Sequence, residues 1–380
     1  MKRYPGLDLL RATAIVWVML FHAMTEGLGR PLRPVGDLGW MGVDLFFVLS
    51  GYLIGSQLLR EYAAGQPPAI GTFYFRRALR ILPAYWVVLA AYVWAPLARE
   101  SPGLQPTWQF FTFTENLLVD YEHNRAFSHA WSLCVEEHFY LLFPLLVWVL
   151  MRRPSWEKTA VVGATVLAGG IVLRWAAWHY ELRGGAVLAS QPWRFVEVIY
   201  YPTWARLDGL LAGVSLAALR WFRPAAWQWA MERPAWLFGA GAGGMGAAIL
   251  MSAHRTSLAG CVFSFPLIAA SMALIVAACV SPRSVLDRWR VPGAGLVATI
   301  TFSLYLSHKL TWHWVGTAWP GLARQGGVGA FAVYGLSAGL VGALLYFLVE
   351  RPFLRLRERL DEGRGQVPTT LMPDTAATGR

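Results

Sequence analysis

LDLLRATAIVWVMLFHAMT, residues 7–25, decides the class of this protein. Apart from Asp8, Arg11 and His22 the run is apolar or small and uncharged, and it is long enough to cross a hydrocarbon layer of about 30 Å as a helix. A charged side chain inside such a span costs about 2.5–3.5 kcal/mol on insertion scales, so each one needs a reason. Arg11 and His22 are eleven residues apart. That spacing corresponds to about 1100° of helix rotation, which puts them about 20° apart on one face and about 16 Å apart along the axis. They line one wall at two depths. Glu26, one turn beyond His22, is placed to orient the imidazole through its second nitrogen. Lys2 and Arg3 ahead of an apolar run also resemble a secretory leader, but Asp8 and Arg11 interrupt the run and no small-residue cleavage pattern follows, so the span is expected to be retained.

Outward from this run the same pattern recurs. Ten apolar stretches are predicted as membrane helices, at residues 7–25, 38–60, 82–97, 131–151, 159–178, 202–221, 236–252, 258–280, 294–315 and 328–350. The third is short and is extended by an amphipathic stretch from Phe73; the segment 98–130 is left open to dip back into the membrane. With 56% hydrophobic and 14% charged residues, 20 Trp, 14 Tyr and 20 Phe, the chain is neither an ordinary soluble domain nor a disordered one. Cys134, Cys261 and Cys279 stand alone in apolar sequence, which excludes a disulfide scaffold or a zinc ribbon. The net charge of +11 does not imply nucleic acid, because its distribution is one-sided. Of 33 Lys and Arg, 21 fall at chain ends and loops on the N-terminal side of the ten spans, and 8 fall in the opposite loops. By the positive-inside rule both termini are predicted to be cytoplasmic. The expected architecture is an all-α polytopic protein, with a membrane domain over 1–351 and a cytoplasmic tail over 352–380 that loses periodicity from about 363.

Followed in chain direction, Asp44, Glu136, Glu137, Arg206, Asp208 and His308 join His22 in the half of the membrane away from the termini. Arg206 and Asp208 read as a packing pair satisfied by neighbouring spans. At the cytoplasmic surface FYFRRALRILP sets Arg76, Arg77 and Arg80 at i,i+3 and i,i+4 spacing, a narrow arc of forked donors suited to phosphate, whether of a soluble ligand or of lipid headgroups. An anionic ligand entering from the cytoplasm would then meet an imidazole base and carboxylates deeper in the protein. There is no G-x-S-x-G elbow, and no Cys/His pair has metal-ligand spacing.

These residues sit in seven ordered motifs: LDLLRATAIVWVMLFHA (7–23), GVDLFFVLSGYLI (42–54), RRALRILPAYW (76–86), WSLCVEEHFYLLFP (131–144), RLDGLLAG (206–213), FSLYLSH (302–308) and VERPF (349–353). Together, over residues 5–353, they resemble the acyltransferase-3 family of integral membrane O-acyltransferases. The resemblance implies ten membrane helices in the cell inner membrane and transfer of an acyl group, usually acetyl, from acyl-CoA to a hydroxyl. That hydroxyl is most often on a carbohydrate, a lipid-linked sugar or a related acceptor. It carries catalytic roles to His22, Glu136 and Glu137, and donor-binding roles to Arg11, Arg76, Arg77 and Arg80. His138 stands where relatives often have glutamine. Acyl-CoA is expected as co-substrate, with no permanently bound cofactor or metal, membrane lipid as surroundings and no nucleic-acid partner. Some relatives carry an extra hydrolase-like domain, which is not expected here. Buried histidines and carboxylates also suit a proton-coupled secondary transporter, although no paired repeat is seen, and a non-catalytic assembly role in polysaccharide synthesis is the third reading.

Overall fold

A computed structural model describes residues 5–25, 32–254, 256–288, 290–325 and 327–363. Among these the secondary structure is helical, apart from one isolated bridge between Leu104 and Ala126. The principal helices are α1 (Pro5–Thr25), α2 (Gly42–Ala63), α3 (Ile70–Trp94), α4 (Trp131–Met151), α5 (Trp156–Ala176), α6 (Asp208–Phe222), α7 (Pro234–Ser252), α8 (Ser264–Val280), α9 (Ala294–Ala318), α10 (Gly327–Leu345) and α11 (Arg351–Gly363). The first ten follow the ten apolar runs. Among the described residues, seven helical stretches are both long and apolar enough to cross a membrane. The ones outside that set have clear reasons: α3 carries Arg76, Arg77 and Arg80, α6 has 15 residues, and α9 carries His308 and Lys309.

Several boundaries differ from expectation. α3 is one continuous helix from Ile70 through Pro83 to Trp94, so the amphipathic stretch and the apolar run are a single element. The sixth run starts as a helix only at Asp208, because Pro202 leads into a separate turn over Thr203–Ala205. After α10 a wide turn over Tyr346–Glu350 leads directly into α11. The tail residues beyond 363, Glu26 and the basic Lys2 and Arg3 lie outside the described residues.

Helices in a bilayer gain little from hiding apolar surface against each other, so close packing through small residues holds them together. One such close seam joins α2 to α6. A Cβ on Gly51 would overlap the Leu210 carbonyl, and one on Gly213 would overlap the Val48 carbonyl, so the backbones meet where glycine alone fits.

The segment between α3 and α4 packs on aromatic rings. Phe127 stacks at 4.5 Å on Tyr92 of α3 and at 5.5 Å on Phe110, while Tyr85 stacks at 4.9 Å on Phe113. The Ala126 amide donates to Gly103 O (2.8 Å) and the Phe127 amide to Glu100 Oε1 (3.1 Å). Asn116 ties the segment to Tyr201 O and Thr203 Oγ1. These bonds fix the chain just before Ser128 and His129 enter α4.

Candidate active site

At the C-terminal end of α1, His22 meets His308 of α9 and His129 from the turn that opens α4. Ring centroids lie 4.9 Å (His22–His308), 5.0 Å (His129–His308) and 6.4 Å (His22–His129) apart. The hydrogen bonds assign the tautomers of the neutral rings. His308 Nδ1 lies 2.7 Å from the Tyr305 carbonyl, which only accepts, so this nitrogen carries the proton and Nε2 is bare. His22 Nδ1 lies 2.7 Å from that bare nitrogen and therefore donates to it. His22 Nε2 is left with its lone pair free of a proton. Likewise His129 Nε2 donates to Leu306 O (3.1 Å), leaving a bare Nδ1 with no partner in a residue only 2% exposed.

The cluster is held from behind. The Tyr305 hydroxyl donates to His129 O (2.8 Å) and lies 2.6 Å from Ser132 Oγ, and Lys309 Nζ donates to Ser128 Oγ (3.1 Å). In front of it is a cavity of about 420 Å³, walled by His22, His129 and Lys309 on one side and by aromatics including Trp131, Tyr201 and Phe265 on the other. Flat rings with a few fixed polar groups suit a polar ring-shaped ligand, since carbohydrate C–H faces pack on aromatics while hydroxyls seek hydrogen bonds. A more open groove of about 750 Å³ adjoins it, where Arg194 bridges Glu181 and Glu197 at 2.9 Å each.

A second constellation gathers at the other end of α1. Arg11 lies 3.9 Å from Asp8 and within electrostatic reach of Arg77 and Arg80. Arg77 sits over the Tyr140 ring at 4.6 Å. Glu136 accepts from Ser50 Oγ (2.5 Å) and Tyr140 OH (3.2 Å), and both Glu136 and Glu137 act on Arg77 electrostatically. Arg76 points elsewhere, into a largely buried ion pair with Asp361 of α11 at 3.0 Å.

Apart from Arg76, the catalytic and donor-binding residues named from sequence thus fall into two groups. Arg11, Arg77, Arg80, Glu136 and Glu137 come together at one level, and His22 and His308 at another. Neither glutamate hydrogen-bonds His22, whose partner is His308. Asp44, Arg206 and Asp208 form a third, packed group: Arg206 donates to Asp44 (2.8 Å) and Arg174 of α5 to Asp208 (2.6 Å). Arg206 also stacks on Phe265 (4.4 Å) and Tyr200 (4.5 Å). These are the packing pairs that adjacent Arg206 and Asp208 suggested, with partners drawn from other helices. His129, Ser50 and Tyr140 were passed over. His129 stands just ahead of a span, where a lone histidine carries no periodic signal.

On α1 the stripe between Arg11 and His22 runs through Ala14, Ile15 and Val18, all buried. The cavity reaches Val18 and no residue of α1 before it. Packed aliphatic side chains therefore separate the cavity from Arg11 along this helix.

Comparison with known proteins identifies the family. A family model described as an acyltransferase domain, acyltransferase-3, matches residues 4–348. A putative O-acetyltransferase of Staphylococcus aureus strain COL is 30% identical over 235 residues, covering 58% of this chain and 35% of that relative. O-acetyltransferase OatA of the same strain is 34% identical over 163 residues, 39% of this chain and 25% of OatA. The chain matches about a third or less of the length of these relatives. No solved structure matches. The chain belongs to the acyltransferase-3 family, and its long apolar helices make it a multi-pass membrane member.

Proposed function

We propose that this member of the family moves an acetyl group from acyl-CoA, bound at the Arg11 end of α1, to a hydroxyl of a carbohydrate or related acceptor in the cavity at the His22 end. The lopsided distribution of Lys and Arg supports a cytoplasmic Arg11 end and a periplasmic cavity in a ten-helix topology. The printed names of the two relatives support acetyl as the group transferred.

One observation carries the mechanism: the hydrogen-bonded line from Tyr305 O through His308 to His22 leaves His22 Nε2 as a bare nitrogen on the cavity wall. In this reading His22 Nε2 takes the proton of the acceptor hydroxyl as its oxygen attacks the thioester carbonyl carbon. The C–S bond then breaks, and the departing thiolate takes the proton back from the imidazolium. An ester and free CoA result. His308 keeps the base in its tautomer, as an orienting partner does in other acid–base sites. Glu136, bonded to Ser50 and Tyr140, steadies Arg77 at the donor level, and Glu137 adds a second carboxylate there. Arg11, Arg77 and Arg80 hold the anionic donor, and the acyl-pantetheine arm bridges the two levels by displacing the packing around Ile15.

The test is acetyl transfer by purified protein in lipid nanodiscs. His22→Gln is expected to lower turnover by about 10²–10⁴-fold while CoA binding stays intact. A folded His22→Gln protein with normal turnover would remove the histidine mechanism. Solute counterflow that needs no CoA would point to transport instead.

A further inference from the structure

α11 lies with the wrong face inward. Its apolar residues Phe353, Leu356 and Leu360 are each about 40% exposed, whereas the less exposed stripe is Leu354, Arg357 and Asp361. A helix with this composition would ordinarily turn its leucines to the protein and its charges to water. In a membrane setting the arrangement is an interfacial helix, with leucines toward lipid and charges toward protein. What the charges face is α3. Asp361 takes Arg76, at 3.0 Å and with both side chains at most 14% exposed. With that pair fixing the register of the two helices, Arg357, one turn earlier on α11, falls beside Arg80, one turn later on α3, and within its electrostatic reach.

Arg80 is the hub of this end. Arg357 lies within electrostatic reach of Arg80 as well as of Glu358 and Asp361, and Arg11 within reach of Arg80 as well as of Asp8, 3.9 Å away. The carboxylates that answer Arg80 are Glu136, already engaged by Ser50 and Tyr140, and Glu350, which accepts from Ser303 Oγ at 2.8 Å and has Oε1 without a partner. Guanidinium groups of α1 and α11 therefore both approach Arg80 of α3. Such a group is stabilised by an anion between them, and forked donors on facing helices match the oxygens of a phosphate.

We infer that α11 completes a phosphate-binding site, in which Arg357 and Arg80 hold one phosphate group from opposite sides and the Arg76–Asp361 pair fastens α11 in place. The inference rests on the donor reading above and refines it: Arg76 becomes the anchor of the wall rather than a contact to the ligand, and Arg357, from the tail, becomes the contact. The phosphate belongs either to the nucleotide portion of CoA or to an anionic lipid headgroup.

Two arms separate those sources. In nanodiscs of phosphatidylcholine, the dissociation constants of CoA and of acetyl-pantetheine, which lacks the phosphates, are measured for the full chain, Arg357→Ala and Arg357→Lys. Donor phosphate predicts about tenfold weaker CoA binding for Arg357→Ala, a smaller loss for Arg357→Lys and no change for acetyl-pantetheine. Asp361→Arg or Arg76→Asp alone weakens CoA binding, and the two together restore it. In the second arm, native mass spectrometry counts phosphatidylglycerol retained from mixed bilayers. Loss of that lipid by Arg357→Ala, with CoA binding unchanged, assigns the headgroup as the source. If neither ligand responds, the site is overturned. If the wild-type chain binds no CoA, the donor reading fails, and the lipid arm alone decides the site.

Discussion

The Asp44–Arg206 and Arg174–Asp208 pairs and the His22–His129–His308 cluster are both polar, both deep in the bundle and both assembled from separate helices, yet they are built to opposite ends. In the pairs, each charge meets its opposite at 2.6–2.8 Å, Arg174 and Arg206 are at most 1% exposed, and neither borders the cavity. In the cluster the groups are bonded in one direction only, and the line ends in a nitrogen that still lacks a proton, on a residue that borders open space. The difference separates structural from chemical use of an expensive group. Opposite charges that meet each other hold helices together, even where Arg206 Nε and Nη1 and Asp44 Oδ2 are left without a hydrogen bond, whereas a chain that ends at a cavity is placed to act on something else.

The sharpest way to break this contrast is Arg174→Met. It leaves Asp208 buried without its cation and is expected to cost about 3–5 kcal/mol in an SDS unfolding titration, with Asp208→Leu in the same chain recovering most of the loss. If Arg174→Met unfolds like the wild type, the pair is not structural. Next in size is His308→Gln. Removing the acceptor behind His22 should lower turnover by about tenfold through loss of tautomer control, with stability changed by about 1 kcal/mol or less. A stability loss without a rate loss would move His308 into the packing class. The smallest effect belongs to His123→Ala, in the exposed segment before α4. There Asp120 accepts from His123 at 2.9 Å; that bond holds the Asp120 carboxyl below its usual range and lifts the His123 imidazole above its own. Surface pairs of this kind contribute little, so neither rate nor unfolding should move measurably.

Much of this was legible from residue spacing. Each of the ten apolar runs coincides with a helix, and seven helical stretches among the described residues are long and apolar enough to cross a membrane, where buried backbone polar groups leave few alternatives to a helix. Arg11 and His22 fall on one stripe because eleven residues make just over three turns. Partner choice was less legible, since one helix's periodicity says nothing about how its neighbours are rotated. Glu26, next along α1, is the local candidate to orient His22, but the partner comes from α9, 286 residues away. Glu136 was placed with His22 on depth alone; its side chain turns to Ser50 and Tyr140. The residues of α11 read from sequence only as the start of a cytoplasmic tail, and which side meets protein depends on Asp361 finding Arg76, a contact between two helices distant in sequence.

The glycine seam between α2 and α6 has a mechanical consequence. Backbones that interlock at Gly51 and Gly213 cannot slide along one another without first drawing apart, which makes these two helices behave as one rigid plate. Ser50 and Asp44 ride on that plate. In the proposed transfer, whatever loosens Ile15 to let a thioester arm through would then be a displacement of α1 against a fixed support, which stiffening α2 or α6 further would leave unchanged.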